Sequence, residues 1–473
     1  MSTIDDLQNQ ADDDVAHAVG SEQTNHDATI DTNTEIEMAR DHLDDVEDRN
    51  ATTIQILDDT VIATESRDLS EREYSVLRTS LKALTGEHSF KRIAQESDDP
   101  VSNRQIALEG FKETLKKFWA YIKEQAKKFW NLLKRWWFKT FDISKRAKAR
   151  AEKLIDRADR EYGVSVENEI SFKEIKKLAM NGRINDPAAI VKGLKDLELL
   201  TAELINTREA DQFNDAAQDL TDKTAEIVEG IKSHADDLIK ARGEDARIDR
   251  SDLGVRESDI NEFIGIVETI FARSDSSLVN QQDFGLDKAD KYLKQFAEPG
   301  KASFRHSAHL PGDKWVLSIS PEISSSAGPV IDLGTTIEGM RASRLLVASC
   351  LYGDKQYDAD PLVKVLSTSA ISRGCENIVR ICEYINEYRG AFDRRDRFKE
   401  RVIKDIDQVV NNLTQDNDMT YVECDRLIRS FANAIIGLIR RRSDFETSLC
   451  AYSMSTSIAF LNYSELSLKQ YTK

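Results

Sequence analysis

Apolar residues recur every three or four positions over most of this chain, the period of an α-helix with one buried face. Residues 1–33 depart from it: Asp, Asn, Thr and Gln with scattered Ala and Val offer too little apolar surface to offset the entropy of ordering, which predicts disorder. Ile36, Leu43 and Val46, then Ile54, Leu57 and Val61, permit weak helices up to about Thr64. A better helix is expected from Ser70 to Leu84, where Ser70 and Glu73 fit a capping box and Tyr74, Leu77, Leu81 and Leu84 form one face before Gly86. Residues 86–100 read as an exposed linker. A long helix should follow from about Val101 to Asp159, with a break near Asp142.

Further on, Ser171 with Glu174 predicts a capped short helix ending at Gly182, and Asp186-Pro187 opens another whose stripe is Ile190, Leu194, Leu197 and Leu204. Asp211 to Lys240 continues as helix, and Ile260, Phe263, Ile264, Val267, Ile270 and Phe271 draw an amphipathic stripe. The period changes near residue 302. Ser303–His306 and Trp315–Ile319 alternate as strands across the turn Leu310-Pro311-Gly312-Asp313, and Val330–Leu333 would add a third strand. Helical spacing returns over Glu376–Arg389, Arg397–Leu413 and Val422–Ile439, and the remainder to Lys473 reads as helix too.

These signals predict a mainly α protein: a multi-helix body with a disordered acidic N-terminal region, a long basic Trp-rich amphipathic helix and a small β-hairpin insert. The expected division is 1–96 as an acidic segment, 97–160 as the basic helix, 161–300 as a helical domain, 301–345 as the β insert and 346–473 as a C-terminal helical domain.

Charge alters the picture at the N-terminus. Residues 1–100 hold 25 Asp and Glu against 8 Arg and Lys, nearly all of the chain's net −18. Residues 111–150 invert this, with 13 Lys and Arg against Glu113, Glu124 and Asp142. Adjacent blocks of opposite charge suggest a detachable or self-masking tail. Cys350, Cys375, Cys382, Cys424 and Cys450 are odd in number and lack CxxC or zinc spacing, so reduced, mostly buried thiols in a cytosolic setting are expected. The N-terminus lacks the basic start and apolar stretch of a secretory signal, and Phe431–Ile439 is too short to span a bilayer, so a chain soluble when made is expected.

In the basic helix, Phe111, Leu115, Phe118, Ile122, Phe129, Leu133 and Trp136 follow helical spacing, widened by Trp119, Trp130 and Trp137, while lysines 112, 116, 123, 127 and 134 fill much of the remainder. Such a face suits a membrane interface, nucleic acid through phosphate contact and stacking, a groove on another protein, or packing against the downstream helices. The candidate contact residues are Lys116, Trp119, Lys123, Lys127, Trp130, Lys134, Trp136 and Trp137. Three tripeptides of a small residue, any residue, then Glu occur nearby: Ala63-Thr64-Glu65, Ala94-Gln95-Glu96 and Ala107-Leu108-Glu109. Ala94-Gln95-Glu96 stands out because it lies in the expected linker, just before the basic helix.

The run Ser80-Leu81-Lys82-Ala83-Leu84, then Ala94-Gln95-Glu96-Ser97, then Ile106-Ala107-Leu108-Glu109-Gly110 leading into FKETLKKFWAYIKEQAKKFWNLLKRWW, resembles the internal head proteins of giant tailed bacteriophages. The resemblance covers about residues 60–160 and rests on layout. It implies a non-enzymatic virion protein made in the host cytoplasm and housed in the head interior, acting in prohead assembly or in DNA packaging or ejection. It further implies an acidic propeptide removed by a prohead protease that cuts after small-x-Glu, with Ala94-Gln95-Glu96 the leading site and the other two tripeptides weaker ones. The implied partners are the capsid shell or other internal head proteins and that protease, with DNA and membrane as further candidate contacts. The rival expectation is a membrane-active or nucleic-acid-binding effector inhibited in cis by its acidic tail.

Enzyme signals are weak. Val330-Ile-Asp-Leu-Gly-Thr-Thr336 is similar to the first phosphate loop of actin-type ATPases, but too little chain follows for their two-lobed domain. His306 and His309 stand three apart at a strand end, which gives no facing metal pair. Arg440, Arg441 and Arg442 follow an apolar helix segment and would favour its C-terminal dipole, with phosphate contact as a weaker role. No catalytic residue, cofactor or metal is expected.

Overall fold

A computed structural model describes residues 131, 134, 137–160, 165–205, 207–242, 255–256, 258–259, 261–263, 265–266, 279–280, 302–321, 330–331, 333–349, 361–413 and 422–471. Met1–Lys139 and Thr140–Lys473 form two units, and the described residues lie almost wholly in the second. The helices expected between residues 36 and 130, the linker and all three tripeptides fall outside the described residues.

The described chain is mainly α-helical. Helix α1 covers residues 137–160 and passes through Asp142 without a break. It is followed by β1 (Glu169–Ser171), a 3-10 turn (Lys173–Leu178), α2 (Pro187–Leu204) and α3 (Thr207–Arg242). Short strands β2 (Val255–Arg256) and β3 (Val279–Asn280) precede β4 (Ala302–His306), β5 (Lys314–Pro321) and β6 (Val330–Ile331). Helix α4 (Leu333–Ala342), β7 (Arg344–Ser349), β8 (Leu362–Lys364), α5 (Thr368–Leu413) and α6 (Val422–Leu468) complete the order.

Helix α2 starts as its sequence dictates. The Asp186 side chain accepts from the Ala189 N–H at 3.0 Å and Pro187 occupies the first turn, where its missing N–H costs nothing. Its stripe, Ile190, Leu194, Leu197 and Leu204, is buried. Helix α5 packs on α2, α3 and α6, so helices from both sides of the β segment share one core. On α5, Ile371, Cys375, Ile378, Cys382, Ile385, Tyr388 and Phe392 keep three- and four-residue spacing and are all buried.

Several sequence expectations are corrected. Ser171 does not cap the short helix: it ends β1, Phe172 takes the cap position without a side-chain hydrogen bond, and the 3-10 turn ends at Leu178. Phe172 is drawn away by stacking on Tyr463 at 5.2 Å and by its N–H bond to Pro361 O. Val330–Ile331 is a strand, but it pairs with β2, and Leu333 already opens α4. The hairpin's third neighbour is β7, in an antiparallel sheet ordered β3-β4-β5-β7. The two helices expected over 376–413 are one: the charged run Asp393–Asp396 lies inside α5, whose backbone hydrogen bonding carries straight through it. Helix α6 runs on past Ile439 to Leu468, as the helical reading of the remainder expects.

The β4–β5 turn is docked. Gly312 and Asp313 have φ of 73° and 53°, their N–H groups both donate to Ala179 O, and the buried Asp313 carboxylate accepts from Gly182 N–H at 3.2 Å. A Cβ at Gly312 would lie 3.1 Å from Lys177 O, so both conformation and space require glycine here. Tyr452 donates to Pro311 O from α6, closing the turn over the helical core.

Candidate functional site

The basic helix is described only over its last part. From Thr140 onward, Phe141, Ser144, Ala147, Ala151, Leu154 and Ala158 form a narrow buried face of mostly small side chains. Phe141 meets Phe392 edge-on at 6.3 Å, with the Arg389 guanidinium 5.9 Å from its ring. Polar contacts flank that face: Ser144 Oγ donates to Asn386 Oδ1 at 3.0 Å and Lys148 Nζ to Glu383 Oε1 at 2.8 Å. Arg150 pairs with Glu465 at 2.6 Å and donates to Asn462 Oδ1 at 2.8 Å, while Ser372 Oγ donates to Asp159 at 3.1 Å. The bond to Glu383 raises the Lys148 pKa above its ordinary value. Residues 140–160 are thus rooted between α5 and the end of α6.

Of the candidate contact residues, Lys134 is helical and half-buried, and Trp137 is helical and 2% exposed. Lys116, Trp119, Lys123, Lys127, Trp130 and Trp136 lie outside the described residues, as do Ala94, Gln95, Glu96 and the two weaker tripeptides. Among the described residues no helix is long and apolar enough to cross a membrane.

The arginine triplet is corrected. It sits in mid-helix, so no helix end is there for it to balance. Arg442 occupies a core position, continuing the three- and four-residue line of Phe431, Ile435 and Leu438 towards Phe445 and Leu449. Its Nε pairs with Glu446 at 2.9 Å, its Nη2 donates to Leu204 O at 3.4 Å, and Tyr388 OH donates to the other Glu446 oxygen at 2.8 Å. Arg441, also buried, donates to Met340 O at 2.7 Å. Sequence spacing could have revealed Arg442, because the core line runs straight through it; the partner Glu446 one turn on gives the same signal. Lys223 on α3 was missed too. It is nearly buried and pairs with Glu226, Asp259 and Glu262 at 2.8, 3.4 and 2.6 Å, and hydrogen bonds to Glu226 and Glu262 push its pKa well up.

His306 and His309 each pack on an indole, their rings lying 5.3 and 5.9 Å from that of Trp315. His309 contacts Asn181 Oδ1 at 2.6 Å and Asp313 at 3.4 Å, and burial lowers its pKa. Among the described residues no group of three His, Cys, Asp or Glu could hold a metal ion. The phosphate-loop-like run is also dismantled, since Gly334, Thr335 and Thr336 lie inside α4 and Thr336 is buried.

Cys375, Cys382 and Cys450 are free and buried. Burial pushes the thiols of Cys375 and Cys382 up to about 12 and that of Cys450 well above its ordinary value. At pH 8 the thiolate fraction of the first two is roughly one in ten thousand, so native protein should leave all three unalkylated by iodoacetamide. Mass spectrometry after native and urea-unfolded labelling checks this, with all three modified only when unfolded.

A model of the phiKZ-like phage internal head proteins matches residues 25–466 of the chain. No curated protein and no solved structure matches it.

Proposed function

From the premise that this chain belongs to the phiKZ-like phage internal head proteins, and so resides inside the virion head, we propose that it acts in prohead assembly or DNA packaging and ejection after losing its acidic N-terminus. The cut is placed after Glu96. The observation that carries this reading is the charge inversion near residue 100, which lies within the matched span.

A cut after Glu96 removes 23 acids and 8 bases and leaves 61 acids against 58 bases. A strongly anionic chain becomes nearly neutral, with a cationic segment at its new N-terminus. In a head filling with DNA this change lowers repulsion and frees cations to meet phosphate. Residues 140–160 support the reading from the other side: their packing into the folded body fixes the downstream end of the basic segment, which the cut leaves in the same chain. Capsid shell or other internal head proteins and the prohead protease are the partners this role requires, and Lys116, Lys123, Lys127 and Lys134 with the neighbouring tryptophans are the proposed contact set.

N-terminal sequencing and intact-mass measurement on purified particles test it. The expected mature chain begins at Ser97. Starts at Ser66 or Gly110 would move the cut to the weaker tripeptides, and a chain beginning at residue 1 or 2 would overturn the proposal.

A further inference from the structure

We propose that the folded body carries its own contact face for the backbone of duplex DNA, built from α1, the end of α6 and the 3-10 turn. It is separate from the upstream Lys- and Trp-rich segment. The inference rests on residence in the head and is independent of any cut at Glu96.

The face begins with a segregation of charge on α1. Arg146, Arg150, Lys153 and Arg157 follow four-, three- and four-residue spacing, one line along a 3.6-residue helix, about 16 Å long at 1.5 Å per residue. Glu152, Asp156 and Asp159 fall on a second, parallel line. The side-chain partners show where the lines look. Asp159 accepts from Ser372 at the start of α5, whereas Arg150 reaches Glu465 and Arg157 Nη2 donates to Leu468 O at 3.5 Å, both at the end of α6.

Other cations gather beside the arginine line through a relay of hydrogen bonds and an ion pair. Asn462, which accepts from Arg150, donates from Nδ2 to Glu174 at 2.7 Å, and Glu174 pairs with Lys177 at 3.0 Å. The 3-10 turn with Lys173, Lys176 and Lys177 is thereby held against α6 near Arg150, and Lys469 follows Leu468 directly. Arg146, Lys153, Arg157, Lys176, Lys177 and Lys469 are exposed. Two carboxylates amid them, Glu174 and Glu465, are already paired with Lys177 and Arg150. Glu167, exposed just beyond the hydrogen bond from Val166 N to Gln470 O, bounds the face.

The result is a cationic surface on elements whose opposite faces are locked in the core, so its charges are held in place before a partner arrives. Lys and Arg on a fixed scaffold engage phosphate oxygens without reading sequence. A head interior filled with DNA supplies that polyanion in excess.

The test uses the full chain and a fluorescent 30-base-pair duplex, with binding followed by anisotropy as salt is varied. Changing Arg146, Lys153, Lys176 and Lys469 to Gln should lower affinity about tenfold or more at low salt and reduce the log–log salt slope by about 3 to 4, near 0.9 for each phosphate no longer neutralised. Lys153→Gln alone should reduce the slope by about 0.9, which keeps the test open if the fourfold variant folds poorly. A control with Lys240, Arg397, Arg401 and Lys404 changed to Gln alters net charge equally and should leave the slope within about half a unit. No DNA binding by the unaltered chain, equal weakening by both sets, or unchanged binding by the face variants would overturn the proposal. So would a face that, when changed, loses a separate peptide of residues 1–96 and not DNA, since the occupant would then be the chain's own acidic segment.

Discussion

Glu446→Ala should lower the unfolding free energy by about 3–5 kcal/mol, among the largest effects available in this chain. The carboxylate is 1% exposed and serves both Arg442 Nε and Tyr388 OH. Removing it leaves a guanidinium that is only 7% exposed without this counter-charge, and takes the Glu446 acceptor from the Tyr388 hydroxyl. Arg442 cannot escape to water, because Nη2 is tied to Leu204 O and the group lies 5.8 Å from the Phe445 ring. The companion change matters as much. Converting the pair together, Arg442→Met with Glu446→Leu, should recover most of the loss, since apolar side chains of similar volume carry no desolvation cost. Urea unfolding of the single and double variants checks both, and a double variant no better than Glu446→Ala alone would show that the ion pair is not the source of the loss.

Gly374→Ala should cost about 1–3 kcal/mol by over-packing, with Gly374→Leu losing cooperative unfolding altogether. A Cβ at this position would lie 2.1 Å from Phe460 Cζ, and Phe460 is fully buried, so the ring has nowhere to retreat. The glycine is there for space: it sits inside α5 in ordinary helical backbone and lets α6 bring an aromatic ring onto the helix. Phe460→Leu should partly rescue Gly374→Ala. Thermal melts of the two single variants and the pair measure that coupling, and strict additivity would refute the close approach as its origin.

Much of the helical body was legible in the order of residues. The Asp186-Pro187 start and the stripe Ile190, Leu194, Leu197, Leu204 are local signals, and the structure uses them as written. The hairpin was legible for the same reason: period-two alternation on either side of Leu310-Pro311-Gly312-Asp313 asks for antiparallel pairing, and β4 and β5 pair in that way. The failures share a cause as well. Ser171 and Glu174 spell a cap, yet Phe172 finds a better partner in Tyr463, nearly three hundred residues away. Val330–Ile331 reads correctly as extended chain, while its partner, β2, could not be read from alternation in two residues. Arg440–Arg442 looked like the end of a helix because charge stopped the apolar run, although charge stops a helix only if it cannot be satisfied where it lies.

The candidate site divides along the same line. The cationic, tryptophan-rich character of residues 111–137, the acid block before it and the small-x-Glu tripeptides are properties of composition and order, visible in the sequence and sufficient to suggest the family to which the chain belongs. That Lys148 and Arg150 root the helix on α5 and α6 was not visible, because Glu383 and Glu465 are more than two hundred residues distant. The same holds for the proposed DNA-facing surface, whose cations come from α1, the 3-10 turn and the end of α6.

Taken alone, the sequence determined the sharp reversal of charge near residue 100 and, among the described residues, most of the helical stretches and the β4–β5 hairpin, since each depends on neighbours within a turn or two. The tertiary structure decided which breaks in the apolar pattern end an element and which are absorbed. It also decided which charges become structural and which face outward. Those outcomes turn on desolvation and pairing between residues distant in the chain, where a carboxylate such as Glu446 or a small residue such as Gly374 acquires its role only from what packs against it.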